Sequence, residues 1–258
     1  MLSDPACLGN LAPDAAESIF DPQFWRARGE LQDVAAGRGS AWFIVSGAPE
    51  SESRQWVLRH YRRGGFIARL SRDGYVWAGE DRVRAFAEWR LLDIMRQRGL
   101  PVPKPVAARY QRAGLCYRCD LITERIVDAE PLSSVLARGA LAESAWCAVG
   151  ATVARLHQAG VDHADLNAHN ILLDANRAVS VIDFDRGRLR APDASDAPSA
   201  RGGSGRAATR GTWAARNLSR LRRSLLKIAR ELPPGRYSQQ NWDWLIAGYR
   251  AAAGREAA

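Results

Sequence analysis

The chain has 258 residues, 47% of them apolar and 25% charged, an ordinary globular composition that is long enough to bury one sizeable core. Its 37 Lys and Arg against 28 Asp and Glu leave a net charge of +9, which points to an anionic partner: nucleic acid, acidic lipid head groups or a phosphorylated substrate. Cys7, Cys116, Cys119 and Cys147 are too few and too scattered for a disulfide framework, and no apolar run approaches the length of a membrane span.

Residues 1 to about 20 are rich in Pro and Ala and are expected to be loosely held. The start Met1-Leu-Ser-Asp-Pro-Ala-Cys7 lacks the basic end and apolar run of a signal peptide, so a reducing cytoplasm is the expected compartment. Asp21-Pro-Gln-Phe-Trp25 is where order should begin, with its aromatics docking on the fold. A strand from Glu30, a turn carrying Gly37 and Gly39, and a strand over Ser40–Ser46 form a hairpin. Such a turn lets backbone N–H groups approach phosphates. The full G-x-G-x-x-G is absent, and an ordinary β-turn reads equally well. Gln55–Tyr61 is the next strand, carrying Arg59, and Arg62-Arg-Gly-Gly65 sets two cations beside a flexible turn where a sugar carboxylate or phosphate could dock.

Phe66–Gly79 reads as a second hairpin turning at Arg72-Asp-Gly74. Arg82–Arg98 is helical, with Phe86, Trp89, Leu92 and Met95 at three-residue steps and a stop at Gly99-Leu-Pro101. Glu88 falls on the inward side, where a carboxylate needs a cation; Arg59 is the expected partner. Alternating prolines hold Leu100–Val106 extended. Ala107–Tyr110 and Leu115–Thr123 form a hairpin around Arg112-Ala-Gly114, which places Cys116 and Cys119 on opposite faces of a strand and argues against a metal pair. Ala142–Ala159 is a helix with Trp146, Val149, Val153 and Leu156 in one buried stripe. It delivers the chain through Gly160 into the next loop, with His157 as a helix-end residue, not a ligand.

That loop is the most informative stretch. Val161–Asp174 reads H-x-D-L-x-x-x-N through His163, Asp165 and Asn170, and Asp183 opens a D-F-D turn thirteen residues after Asn170, which is room for one hairpin. Phosphoryl transfer needs such a set: a carboxylate to orient the hydroxyl nucleophile and take its proton, and oxygen ligands for Mg²⁺ on nucleotide phosphates. Asp165 takes the first role; Asn170 and Asp183 take the second. Asn167 is placed to contact the acceptor, Asp185 to help with metal or substrate, and His163 to brace the loop. Arg59, paired with Glu88, would hold the phosphates under the Gly37–Gly39 turn, standing where such enzymes carry lysine; Arg62 or Arg63 could take that place instead.

Ala191–Arg210 is Ala-, Gly-, Ser-, Asp- and Pro-rich and is expected to be a disordered insertion. Thr212–Arg230 is helical, with Leu218, Leu221, Leu225 and Ile228 buried and Arg216, Arg220, Arg222, Arg223, Lys227 and Arg230 around them. Such a helix suits an anionic membrane surface or phosphorylated glycolipid, and equally a solvated face. Trp242 and Trp244 lie in a last helix. The expected fold is α+β and protein-kinase-like, a single domain of two lobes. Residues 21–123 would give an antiparallel sheet with one regulatory helix, 124–130 a hinge where adenine pairs with backbone groups, and 131–258 a mainly helical lobe.

Over most of its length the chain resembles the lipopolysaccharide kinase family, on its Kdo (3-deoxy-D-manno-octulosonic acid) branch. The resemblance is carried by Leu58-Arg-His-Tyr-Arg-Arg-Gly-Gly65, Glu88-Trp-Arg-Leu-Leu92, Pro101-Val-Pro-Lys-Pro-Val106, Asp162-His-Ala-Asp-Leu-Asn-Ala-His-Asn170, Val181-Ile-Asp-Phe-Asp-Arg-Gly-Arg188 and Arg216-Asn-Leu-Ser-Arg-Leu-Arg-Arg-Ser-Leu225. The His163, Asp165, Asn170 and Asp183 set alone identifies only a wider kinase-like superfamily that includes aminoglycoside phosphotransferases. The resemblance implies ATP- and Mg²⁺-dependent phosphorylation of the 4-hydroxyl of Kdo on a lipid A precursor, Kdo-lipid IVA. The reaction would occur at the cytoplasmic face of a Gram-negative inner membrane, by a peripheral enzyme meeting an anionic glycolipid. Other readings are a kinase for a core heptose or another small-molecule hydroxyl, and a catalytically silent glycolipid-binding scaffold. No nucleic-acid motif accompanies the charge, so nucleic acid is not an expected partner.

Overall fold

The computed structural model describes residues 1–4, 17–34, 41–47, 54–62, 74–190 and 212–254. Two compact units emerge, one of residues 1–97 and 103–127, the other of 98–102 and 128–258.

The first unit is built on strands whose apolar residues alternate. In β4 (Arg54–His60), Trp56 and Leu58 point to one buried face while Gln55, Val57 and Arg59 point away. β4 pairs antiparallel with β3 (Ala41–Ser46), and β3 with β2 (Leu31–Val34), so the first expected hairpin is present; its Gly37 and Gly39 lie outside the described residues. On its other edge β4 pairs with β7 (Cys116–Glu124), which pairs in turn with β6 (Pro105–Ala113) through a turn at Gly114. A short β5 (Tyr75–Val76) pairs with Cys116 and Tyr117 of β7, and the expected arm of its hairpin before Gly74 lies outside the described residues. Cys116 is exposed and Cys119 buried, as alternation along β7 requires.

The described ends of the N-terminal stretch depart from expectation, and residues 5–16 lie outside the described residues. Leu2–Ser3 forms β1 against Ala107 and Ala108 of β6, and Ile19 and Phe20 are buried in the core with Trp25, Ile44, Trp56, Leu58, Val106 and Ile122. Apolar burial and backbone pairing outweigh the loose composition. α1 (Pro22–Ala27) is capped by Asp21, whose carboxylate accepts from the Gln23 N–H, and it delivers Trp25 edge-on to Trp56. The Trp25 indole N–H donates to the Ile19 carbonyl at 2.7 Å, so its polar end is also satisfied.

Helix α2 (Arg84–Gln97) contacts β6 and β7 and buries Ala85, Phe86, Glu88, Leu91, Leu92 and Met95. Trp89, expected on that stripe, is only half-buried. Steps of three drift around a helix by about 60° each, so the inward face alternates steps of three and four.

The expected hinge straddles the unit boundary, which falls at Val127 and Asp128, the latter with φ of 53°. Before it, the Glu124 and Arg125 N–H groups donate to Lys104 and Gln55; after it, β8 (Ala129–Pro131) belongs to the second unit. Arg98–Val102 also belongs there: the Val181 N–H donates to the Pro101 carbonyl at 3.0 Å, and Arg155 to Gly99 at 2.9 Å. The expected extended run from Leu100 is bent at its start, where the Val102 N–H donates to the Leu100 carbonyl at 2.9 Å, and becomes a strand only from Pro105.

The second unit contains α3 (Leu132–Arg138), α4 (Glu143–Gln158), α5 (Trp213–Ala229) and α6 (Gln239–Ala253). The apolar stripe of α4 is buried as expected. α4 and α6 approach through one glycine from each: a Cβ on Gly150 would lie 1.9 Å from the Leu245 carbonyl oxygen, and one on Gly248 would lie 2.2 Å from that of Cys147. Gly150→Ala is therefore expected to lower stability by about 1–3 kcal/mol through overpacking, although alanine is the better helix former by about 1 kcal/mol. Thermal unfolding checks this, with Gly139→Ala as a control whose Cβ meets nothing closer than 3.7 Å. An unchanged melting temperature for Gly150→Ala would contradict the close helix contact.

Candidate active site

β10 (Ile171–Asp174) and β11 (Val179–Val181) form the hairpin that joins the two motifs, with Ile171 opposite Val181. The ladder runs one bond further, because the Ile182 N–H donates to the Asn170 carbonyl at 2.9 Å. Asn170 and Asp183 therefore flank the open end of one hairpin. At Asp183 the backbone turns to φ of 63°, a left-handed conformation uncommon for a residue with a Cβ. Phe184 is then fully buried, its ring 4.7 Å from that of His163, and the Gly187 N–H closes the turn on the Phe184 carbonyl.

His163 is buried. Its Nδ1 accepts the Asp165 N–H at 3.1 Å, so the ring proton sits on Nε2, which donates to the Ile182 carbonyl at 3.1 Å. Burial holds its pKa below the usual histidine value, against the opposing pull of the Ile182 carbonyl and of Asp183 and Asp165. A neutral imidazole thus bridges the two motif loops through hydrogen bonds at both nitrogens.

Asp165 is exposed at the tip of this loop. Asn167 is spent within the loop: its Oδ1 accepts from the His169 and Asn170 N–H groups, and its Nδ2 donates to the Asp165 carbonyl at 3.0 Å and carboxylate at 3.2 Å. Its amide thereby holds the carboxylate in place. Asn170 is buried, and its Nδ2 donates to the Asp165 carbonyl at 3.0 Å, which leaves Oδ1 as its ligand-facing atom. Oδ1 of Asn170 and the Asp183 carboxylate are hard oxygen donors of the type Mg²⁺ takes in ones and twos beside phosphates, so the residues fit that ion. Among the described residues no group of three or more His, Cys, Asp or Glu gathers elsewhere as a metal cluster. Asp185 lies half-buried beyond Phe184.

The support for this loop comes from residues that the sequence reading missed. α5 begins with Thr212 capping the Ala215 N–H, and buries Trp213, Asn217, Leu221 and Leu225. Leu218 and Ile228, expected inside, are half-buried, because the inward face also carries Asn217, Arg220 and Ser224 at steps of three and four. Asn217, 1% exposed, accepts the His163 N–H at 2.9 Å and donates to the Asp162 carboxylate at 2.9 Å and the Trp213 carbonyl at 3.1 Å. Arg220 donates to the His163 carbonyl, and the Ser224 hydroxyl accepts the Ala168 N–H. On the far side, β9 (Val161–Asp162) pairs with β12 (Arg188–Leu189), and Arg190 ion-pairs with Asp162 at 2.8 Å. Gly160 must be glycine here: its φ is 77°, and a Cβ would lie 2.3 Å from the Arg190 carbonyl oxygen.

His157 closes α4 with its Nδ1 3.0 Å from the Tyr249 hydroxyl and its ring edge-on to Trp213. Burial lowers its pKa from 6.5 to about 4. The folded protein therefore refuses a proton that the unfolded chain accepts below pH 6.5. The stability from this residue is whole above pH 6.5 and falls as the pH drops towards 4, by about 1.4 kcal/mol per unit. Denaturant titrations at pH 7 and pH 4.5 should show the wild type losing roughly 2 kcal/mol more than His157→Phe. Equal losses would contradict a neutral, buried His157.

In the first unit, Arg59 on β4 forms an ion pair with Glu88 on α2, which is 4% exposed. Arg62 is exposed and Arg63 lies outside the described residues, so the geometry pairs Glu88 with Arg59.

Residues 22–198 match the model of the lipopolysaccharide kinase (Kdo/WaaP) family. A 3-deoxy-D-manno-octulosonic acid kinase of Xanthomonas axonopodis pv. citri (strain 306) is 49% identical over 217 residues, 83% of this chain and 76% of that one. One of Stenotrophomonas maltophilia (strain K279a) is 45% identical over 84% of this chain and 78% of its own, and one of Xanthomonas oryzae pv. oryzae (strain PXO99A) is 45% identical over 93% and 87%. Among solved structures, the Cydia pomonella granulovirus kinase PK-1 is 14% identical over 67% of this chain and 57% of its own, at a TM-score of 0.42, a likeness too distant to argue from. With the family match spanning most of the chain, and relatives of such identity covering more than four fifths of it, this protein belongs to the lipopolysaccharide kinase (Kdo/WaaP) family.

Proposed function

We propose that the protein transfers the γ-phosphoryl group of ATP to the 4-hydroxyl of Kdo on a lipid A precursor, at the cytoplasmic face of a Gram-negative inner membrane. The observation that carries this reading is the loop in which Asn167, Asn170 and His163 all bind Asp165 and present its carboxylate, in a chain nearly half identical to kinases named for that sugar. Asp165 orients the sugar hydroxyl and takes its proton as the new oxygen–phosphorus bond forms and the bond to the ADP oxygen breaks. Asn167 steadies that carboxylate. Asn170 and Asp183 would hold Mg²⁺, which when bound would neutralise charge on the phosphates. Arg59, fixed by Glu88, orients the phosphates. Preorganised positioning and charge supply the catalysis.

Arg222, Arg223, Lys227 and Arg230 are exposed on α5, together with Leu226, which supports peripheral contact with an anionic bilayer. Among the described residues no helix is long and apolar enough to cross a membrane.

Transfer of labelled phosphate from Mg-ATP to a Kdo-bearing lipid A precursor tests the proposal, with the same lipid lacking Kdo as control. Transfer that requires Kdo supports it. Transfer to neither lipid, with nucleotide binding intact, would overturn the acceptor, and absent nucleotide binding would overturn the kinase reading.

A further inference from the structure

The Leu58–Gly65 segment marks the family resemblance, yet Tyr61 has no part in the chemistry above. Arg59 and Tyr61 are two residues apart and so point to the same side of the extended chain, towards α2. The Tyr61 N–H donates to the Cys119 carbonyl at 3.1 Å, which continues the pairing with β7 and fixes the backbone. Tyr61 is buried, and its hydroxyl does two things: it accepts from Nη2 of Arg59 at 2.8 Å and donates to Oε2 of Glu88. The same Nη2 donates to the same Oε2. The three side chains thus close a ring of hydrogen bonds, and the Arg59 guanidinium lies 4.7 Å from the centre of the Tyr61 ring.

The ring has a physical reason. Glu88 is a buried carboxylate and needs donors; the Tyr61 hydroxyl supplies one without adding charge. The guanidinium is planar, so the orientation of its plane about the contact with Glu88 matters for what it can meet. A second contact from Nη2 and an aromatic face against the plane fix the rotation. Meanwhile the Arg59 side chain remains 22% exposed while Glu88 and Tyr61 are enclosed, so the cation is anchored from beneath and accessible from above.

We infer that Tyr61 is a positioning residue, setting the orientation in which Arg59 meets the nucleotide phosphates and making arginine, not lysine, the cation that fits this strand. The inference rests on the reading of Arg59 as the phosphate-holding group. A lysine at position 59 has a shorter stem and no planar group to lie against the Tyr61 ring.

The test is a double-mutant cycle on the full chain, reading MgATP affinity by calorimetry, KM for ATP and kcat in the transfer assay, and the unfolding midpoint. Tyr61→Phe keeps the aromatic face and removes only the hydroxyl. It should weaken MgATP binding roughly tenfold, the effect of losing one charge-assisted hydrogen bond, raising KM more than it lowers kcat. Arg59→Lys should weaken binding by a similar factor, and Tyr61→Phe added to Arg59→Ala should change affinity no further. Independent, multiplying effects on affinity, or a lower unfolding midpoint with unchanged KM, would reduce Tyr61 to packing and overturn the inference. If Arg59→Ala binds MgATP as well as the wild type, the reading of Arg59 itself fails; if Arg59→Ala weakens binding and Tyr61→Phe does not, only the role of Tyr61 fails. Should Tyr61→Phe fold poorly, Glu88→Gln combined with Tyr61→Phe removes the buried charge and must bind MgATP more weakly than Glu88→Gln alone.

Discussion

Asp165→Asn is expected to reduce turnover by about 10³-fold or more while MgATP affinity stays within about twofold of wild type, because a positioned base contributes about 10²–10⁴ and correct orientation of the nucleophile adds to it. Asparagine keeps the shape, and its carbonyl can still accept from the Asn167 amide that now holds the carboxylate at 3.2 Å. The backbone of residue 165, whose N–H binds His163 and whose carbonyl receives Asn167 and Asn170, is untouched by the change. What disappears is the negative charge and the capacity to take a proton. The loss should therefore fall on kcat, with little change in KM for ATP. Single-turnover transfer and calorimetric nucleotide binding check both halves. An Asp165→Asn enzyme retaining a tenth of the activity would remove Asp165 from the base role, and a collapse of nucleotide affinity would show that it serves ATP instead.

Much of this site could be read without coordinates, for reasons that differ along the chain. Residues 163–183 were legible because the chemistry fixes residue types at fixed offsets, and the apolar runs Ile171–Leu173 and Val179–Val181 can only be a hairpin of the length that brings Asn170 beside Ile182. That Glu88 needs a cation was legible from the cost of burying a carboxylate, and Arg59 as its partner from the strand-to-helix ion pair that kinases require. The two described ends of the N-terminal stretch were misread because composition reports an average over the stretch, whereas Ile19 and Phe20 are two apolar residues with a specific place in the core. α5 was misread more instructively. Its arginines set the eye on an outward face, and the four evenly spaced apolar residues looked like a complete inward one. Asn217, Arg220 and Ser224 face inward because the loop they meet offers backbone N–H and carbonyl groups, which apolar side chains cannot satisfy. A polar residue at position 217, four residues from both Trp213 and Leu221, was the available signal.

That misreading makes Asn217 the most informative residue outside the motifs. Asn217→Ala strips the partner from the His163 N–H and removes one donor each from the Asp162 carboxylate and the Trp213 carbonyl, all beside a side chain that is almost wholly buried. A buried group left unpaired costs about 1–3 kcal/mol, so the expected loss of stability is about 3 kcal/mol or more, large for a single truncation. Turnover should fall with it, since His163 N–H is two residues from Asp165 and anchors the loop that presents the carboxylate. Asn217→Asp separates the two effects. Its carboxylate can still accept from His163, so the loop keeps its anchor, but it loses the donor to Asp162 and sets a second negative charge against that residue. Asn217→Asp should thus be destabilised at least as much as Asn217→Ala and yet retain more of the wild-type kcat at temperatures where both are folded. Denaturant unfolding and steady-state kinetics on the two variants decide it. If kcat falls equally in both, α5 stabilises this unit without steering the loop. If Asn217→Ala alone loses turnover, the helix that carries the basic outer face also sets the geometry of catalysis.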